Sequence, residues 1–332
     1  MARARVDDKN QRMVKIVTIT DTSIAEAASV IKRGGLLGLP TETVYGLAAN
    51  ALDGRAVARI FEAKGRPAFN PLIIHVANKA AAEKLATFNA AAHAVTDALW
   101  PGPLTIILPR RADSGISELA TAGLPTIALR CPAHAGARAV IEAAGVPVAA
   151  PSANASGTLS PTTAQHVAAS LGDALDMILA AGACPVGLES TVLDLSGDMP
   201  VILRPGAVTP DDIARVLGIT PAIDDGQHDA PKSPGQLLRH YAPKTPVRLN
   251  AKDLQAGEAL LAFGPTLLGR HLPDSAKRNL SDGSDLHEAA ANLFGYLHTL
   301  DAGGHSGIAV MPVPDTGLGL AINDRLKRAA NS

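Results

Sequence analysis

Aromatic side chains are scarce in this 332-residue chain: Phe, Trp and Tyr make up 3% of it, with a single Trp. That argues against a binding surface built on stacked rings, of the kind single-stranded nucleic-acid platforms use. Cysteine is nearly missing as well. Cys131 and Cys184 lie far apart, without a C-x-x-C pair or a His at ligand spacing, so neither a disulfide framework nor a zinc site is supported and buried reduced thiols are expected. Neither sign of charge dominates, since 30 Lys+Arg against 31 Asp+Glu leave a formal net charge of -1 and a pI near 6.8. No whole-chain field therefore draws the protein to nucleic acid or membrane, and any anion site must be local. No apolar run reaches membrane-spanning length and the charged first residues lack the apolar core of a secretory signal, so a cytoplasmic location without membrane contact is expected. The P-loop pattern G-x-x-x-x-G-K-[ST] is absent, a third Gly is missing after Gly317-x-Gly319, and Ser152 lacks the G-x-S-x-G frame of a serine hydrolase.

What the chain does have is 47% apolar residues with abundant Ala and Gly, enough for two cores of closely packed helices on sheets. Apolar runs alternate with helical periodicity in the order expected of an α/β fold. Ser23 followed by Glu26 reads as a capping box opening a helix. The strand at Leu36–Leu39 ends at Pro40, and Thr41-Glu42-Thr43 should then form a polar turn facing solvent. Asp53 reads as the N-cap of a helix bearing Val57, Ile60 and Phe61, which stops at Lys64-Gly65-Arg66-Pro67. A Lys and an Arg on a bent segment suit a polyanion; a basic helix end answering the macrodipole is the plainer alternative. His75 closes the strand Pro71–Val76, either as a ligand or as a structural histidine. Arg130 ends the strand begun at Pro125. The strand from Val146 runs into Pro151-Ser152-Ala153-Asn154, where neutral donors meet a sheet edge. Ser160 reads as the start of a further helix, as an anion seat or a simple cap. Ser190 precedes one strand, Arg204 ends another, and Thr209-Pro210-Asp211 opens a helix finishing near Gly218.

Between Thr220 and Pro246 five prolines and no apolar periodicity mark a semi-rigid linker, within which Ser233-Pro234-Gly235 and His240-Tyr241-Ala242-Pro243 stand out. A small alternating α/β unit follows. The expected domains are therefore 13–218, a linker at 219–246, and 247–332. The polar groups at the strand ends would make one pocket with four cations, Lys64, Arg66, Arg130 and Arg204, suited to a ligand with phosphates and a carboxylate.

Thr41-Glu42-Thr43-Val44-Tyr45-Gly46-Leu47, Lys64-x-Arg66-Pro67 with Asn70-Pro71-Leu72, Ser152-x-Asn154, Glu189-Ser190-Thr191 and Arg204-Pro205-Gly206 together resemble the YrdC-type threonylcarbamoyl-AMP synthase family. The linker and the C-terminal Gly-Leu-Gly-x-Ala-Ile-x-Asp-Arg-Leu resemble its two-domain long form. The resemblance implies a twisted mixed-sheet catalytic domain with a concave basic cavity and a small Rossmann-like α/β second domain. It implies a reaction of L-threonine, bicarbonate and ATP giving threonylcarbamoyl-adenylate and pyrophosphate, with Mg2+ held mainly through the ATP phosphates, and a downstream tRNA threonylcarbamoyl-transferase as consumer. By the same resemblance Lys64, Arg66, Asn70, Ser152, Asn154, Ser160 and Arg204 would hold the nucleotide, with Lys64, Arg66, Ser152 and Asn154 closest to the chemistry. Thr43, His75, Arg130 and Ser190 would surround the threonine, with Thr126 and Ala150 offering backbone contacts on the ATP and threonine sides respectively. Tyr241 and His240 would reach over the nucleotide from the linker. After Ser-Pro-Gly this chain has Gln236-Leu237-Leu238 where relatives often carry Met-Lys-Tyr, which removes a cation and a phenol from that segment. The alternative to an enzyme is a double-stranded RNA-binding or ribosome-assembly module, with weak RNA contact through a basic concavity. A carbamoyl-transfer enzyme of hydrogenase maturation shares the domain type, but its zinc-finger cysteines are absent here.

Overall fold

The computed structural model describes residues 14–67, 70–224 and 241–331. Among these, eleven strands form one mixed sheet and four form a second, all-parallel sheet. The large sheet runs, from edge to edge, through Ile16–Thr18, Met177–Ala180, Leu37–Leu39, Gly46–Asn50, Val148–Ala149, Ile73–His75, Thr126–Arg130, Leu104–Pro109, Thr191–Asp194, Val201–Arg204 and Ala222–Ile223. Its last strand lies inside the stretch read above as linker.

Period-two alternation sorts the strand residues between the two faces. Leu37, Leu39, Ala48, Val148 and Leu179 face the helices Asp21–Lys32 and Ala135–Ala144. Leu47, Ala49, Ile74, Ile106 and Leu129 face the larger core, which takes in Val57 and Ile60 from the helix Gly54–Lys64. Ile73, Ile107, Ala128, Val192 and Leu203 form a third cluster made of strand residues alone. That face has no helix in its cluster, so the far half of the sheet is left with a hollow.

Local signals explain most helix ends. Asp53 caps its helix by accepting from the Arg55 amide at 2.8 Å, and Gly65 closes it with φ +57°, a left-handed conformation open to Gly. Thr209 and Asp212 form a capping box around Pro210. The first helix differs from expectation. It starts at Asp21, its box is Thr20 with Ser23, and Glu26 turns outward to Lys15 at 2.6 Å. Thr20 won because its hydroxyl meets the Ser23 amide one turn earlier. Gly46–Asn50, Ile16–Thr18 and Met177–Ala180 went unread as strands.

In the second unit the strand order is Val247–Arg248, Gly307–Val310, Glu258–Ala262, Lys277–Asn279, with helices Leu286–Asp301 and Gly319–Ala330 against it. The core of this unit also takes in Val44, Leu159, Leu188 and Tyr241, so one apolar cluster spans both units. Gly187 permits the approach: a Cβ there would lie 2.5 Å from the Ala290 carbonyl oxygen.

Candidate active site

A cavity opens in this hollow. Arg66, His75, Arg130, Ala150, Ser152, Ser190, Arg204 and Tyr241 line it, together with Val44, Ile73, Pro151 and Glu189. Eight residues picked from the sequence thus share one wall. Thr43, Lys64, Asn70, Asn154 and Ser160 are buried outside that lining. Thr126 sits at the opposite end of its strand from Arg130, on the same face by alternation. His240, with Gln236-Leu237-Leu238, lies outside the described residues.

The turn after Pro40 does not face solvent. Thr41, Glu42 and Thr43 are buried; the Thr41 hydroxyl donates to the Val44 carbonyl at 2.6 Å and pairs with the Thr43 hydroxyl at 2.8 Å. Glu42 accepts from Arg130 Nη2 at 2.6 Å, both side chains being almost fully enclosed. Burial alone would raise the Glu42 carboxyl, but the Arg130 guanidinium outweighs it and holds the group below its ordinary value.

Lys64 is the last residue of its helix rather than part of the bend. Its Nζ donates to the Ser152 and Asn154 carbonyls, each at 2.5 Å, and its own carbonyl accepts from the Ser156 amide at 2.8 Å. The ammonium therefore pins the loop that carries Ser152 and Asn154. Burial, then the neighbouring Arg66 charge, pushes its pKa well down. Arg66 donates to the Asn70 and Pro71 carbonyls at 3.4 and 3.2 Å and has no carboxylate in ion-pair range among the described residues. Burial brings its pKa down to about 10, with Arg204 adding repulsion. The Asn70 amide and Asn154 Oδ1 are buried without partners among the described residues, which marks them as groups with bonding capacity to spare.

His75 is held neutral: burial, reinforced by the Arg130 charge, takes its pKa down to about 3. With Nδ1 donating to the Ile73 carbonyl at 3.3 Å, Nε2 is the acceptor. Ser190 shares a 2.7 Å hydrogen bond with Thr105 and accepts from Arg204 at its carbonyl (2.8 Å) and its hydroxyl (3.3 Å). Ser160 is not a helix cap. Thr163 caps the helix Ala164–Leu171 by accepting from the His166 amide, while the Ser160 hydroxyl donates to Glu189 Oε1. The sequence reading also left Glu42, Glu189 and Arg325 without roles. The first two stand inside the quoted motifs, and asking what neutralises a buried Arg130 would have found Glu42.

Tyr241, in a left-handed conformation with φ 63°, lines the cavity and belongs to the apolar cluster that joins the two units. The next residue, Ala242, donates its amide to the Gly157 carbonyl at 2.8 Å, so the chain returning from the linker is stitched beside the Ser152 loop.

A mixed sheet with an arginine-lined hollow, followed by a small parallel α/β unit packed on it, defines a class of two-domain α/β protein. Residues 29–206 match the Sua5/YciO/YrdC family model, described as telomere recombination, and residues 208–331 match the threonylcarbamoyl-AMP synthase C-terminal domain. The chain belongs to this family, in its two-domain long form. It is 41% identical to a threonylcarbamoyl-AMP synthase of Pyrococcus abyssi, covering 94% of this chain and 95% of the relative. With the Bacillus subtilis threonylcarbamoyl-AMP synthase it shares 40% identity over 95% and 94% of the two chains. The crystal structure of P. abyssi Sua5 complexed with L-threonine superposes with a TM-score of 0.86 at 38% identity, covering 96% of this chain and 97% of that one.

Proposed function

We propose that this protein is an L-threonylcarbamoyladenylate synthase, an ATP-dependent nucleotidyltransferase that makes threonylcarbamoyl-AMP and pyrophosphate from L-threonine, bicarbonate and ATP. The product would feed a tRNA threonylcarbamoyl-transferase that modifies adenosine. The observation that supports this best is the convergence of Arg66, Arg130 and Arg204 with neutral His75 and the Ser152 and Ser190 hydroxyls on one cavity. Three guanidinium groups suit a triphosphate and a carboxylate together. The L-threonine bound by the P. abyssi relative is in keeping with such a cavity.

In this reading Arg130, oriented by Glu42, takes the threonine carboxylate, with Thr43, His75, Ala150 and Ser190 around the amino acid. Lys64, Arg66, Asn70, Ser152, Asn154, Ser160, Arg204 and Tyr241 form the nucleotide side, with the Thr126 backbone and His240 further out. The threonine nitrogen adds to carbon dioxide and loses a proton, or adds to bicarbonate as its C–OH bond breaks and the N–H proton leaves with the hydroxide as water; either way a carbamate forms. A carbamate oxygen then attacks the α-phosphorus while the bond to the β-phosphate bridging oxygen breaks, releasing pyrophosphate. Attacking and leaving groups are both anionic, so the protein's work is alignment and charge neutralisation, with no side-chain nucleophile. Mg2+ would add positive charge at the phosphates; Glu189, the carboxylate in the wall, is already paired, so the ion's oxygen ligands would come chiefly from ATP. We propose the units 13–218 as catalytic, 219–246 as a linker passing over the site, and 247–332 as a supporting domain. No helix among the described residues is long and apolar enough to cross a membrane. Arg66, Arg130 and Arg204 are buried, which suits a small anionic ligand better than a duplex and disfavours the RNA-module reading.

Pyrophosphate release from ATP is expected only when threonine and bicarbonate are both present. Release that ignores either one, or salt-sensitive RNA binding without release, would count against this function.

A further inference from the structure

Glu189 is a carboxylate in the wall of a cavity otherwise charged by guanidinium groups, where it would repel a polyanion. Its oxygens are engaged from behind. Oε1 accepts from the Ser160 hydroxyl, and Oε2 accepts at 2.9 Å from Nε of Arg325, a fully buried residue of the C-terminal helix Gly319–Ala330. Arg325 Nη1 also donates to the Pro205 carbonyl at 2.8 Å and to Asp324 at 2.7 Å. Its guanidinium carbon stands 5.2 Å from the centre of the Tyr241 ring, within cation–π range. One side chain of the second domain thus touches a cavity carboxylate, the turn following Arg204 and the aromatic wall.

Stability alone accounts poorly for this arrangement, because a buried ion pair commonly gains little over a packed apolar pair. The consequence for the cavity is larger. Without Arg325, the cations left acting on Glu189 are Arg204, itself a wall residue, and Lys64, whose ammonium is already spent on the Ser152 and Asn154 carbonyls. We propose that Arg325 is a positioning residue for the nucleotide half of the cavity: by neutralising Glu189 from the second domain it keeps the wall attractive to a nucleoside triphosphate. The C-terminal domain is then a working part of the site. This rests on the nucleotide-binding reading above.

Calorimetric titration of ATP and, separately, of L-threonine into the full-length protein tests it. Arg325→Met is expected to weaken ATP binding about tenfold or more while threonine stays within about twofold. Glu189→Gln alone should bind ATP at least as tightly as the wild type, because it removes the repelling charge, and Glu189→Gln added to Arg325→Met should recover most of the loss. Unchanged ATP affinity in a folded Arg325→Met, or a double variant no tighter than the single, overturns the proposal. Should Arg325→Met fail to melt cooperatively, Glu189→Gln decides, and a tenfold weakening there overturns it. A wild-type protein that binds no ATP sinks the nucleotide reading as well, which separates the two failures.

Discussion

Lys64 and Arg66 stand two residues apart and do different physical work. Lys64 spends two of its N–H donors on the Ser152 and Asn154 carbonyls, while Arg66 holds the Asn70 and Pro71 carbonyls only at long range. Truncating Lys64 takes this donor from one buried and one part-buried carbonyl, at about 1–3 kcal/mol for the buried one. Lys64→Ala should therefore lower the melting temperature by several degrees and also abolish threonine-dependent pyrophosphate release. Arg66→Ala should lose about a hundredfold or more in release with a melt close to wild type. Calorimetry run beside the assay checks both; matching melts for the two variants would remove Lys64 from its role as a loop clamp. The type and spacing of these two residues were legible in the sequence. That one is a clamp and the other a wall was not, because the Ser152 loop lies 88 residues away in the chain.

At the scale of elements, the paired strands Thr191–Asp194 and Val201–Arg204 carry Ser190 and Arg204 to the cavity, and Gly206 lets the chain turn away beside them. A Cβ at Gly206 would sit 2.3 Å from the Thr191 nitrogen and 2.6 Å from the Glu189 carbonyl oxygen, both backbone atoms that cannot swing aside. Gly206→Ala is expected to cost more than about 2 kcal/mol and to weaken ATP binding, since relief must move the strand end bearing Arg204. Denaturant melts and nucleotide titration measure this; wild-type values in both would mean the contact is slack. Elements with strong local punctuation, such as the helix Pro210–Leu217 with its Thr209 cap and Gly218 end, were readable in advance. The strand Gly46–Asn50 was not, because Gly, Ala and Asn have little intrinsic strand preference and it exists through pairing with Leu37–Leu39 and Val148–Ala149.

Across the whole molecule the two domains meet at a pair of stacked imidazoles, His166 and His298, with ring centres 3.9 Å apart. Burial, then repulsion from His298, lowers His166 to about 4; burial likewise lowers His298, against the pull of the Ser160 carbonyl and Asp301. The unfolded chain takes up these protons near the ordinary value of 6.5, the folded chain only at lower pH. The stability contributed is thus complete above about pH 6.5 and lost as pH falls toward 4, with His75 acting in the same direction down to about 3. Melting temperature should fall between pH 6.5 and 4, and His166→Phe, which keeps a stacking ring without a titrating nitrogen, should flatten that slope. Parallel pH profiles for variant and wild type would exclude the histidine pair as its source.

The sequence by itself determined the locally punctuated helices and the longer apolar strands, the apolar faces of the helices Asp21–Lys32 and Gly54–Lys64, and the family motifs, because these depend on neighbours a few residues apart. Tertiary structure alone decided which charges face the cavity and which are spent in pairs. Glu189 meets Arg325 across 136 residues and a domain boundary, and Glu42 meets Arg130 across 88. The physical reason is that a buried charge takes its partner from whatever the sheet order and the docking of the second domain bring within hydrogen-bond reach, and no local pattern encodes that distance.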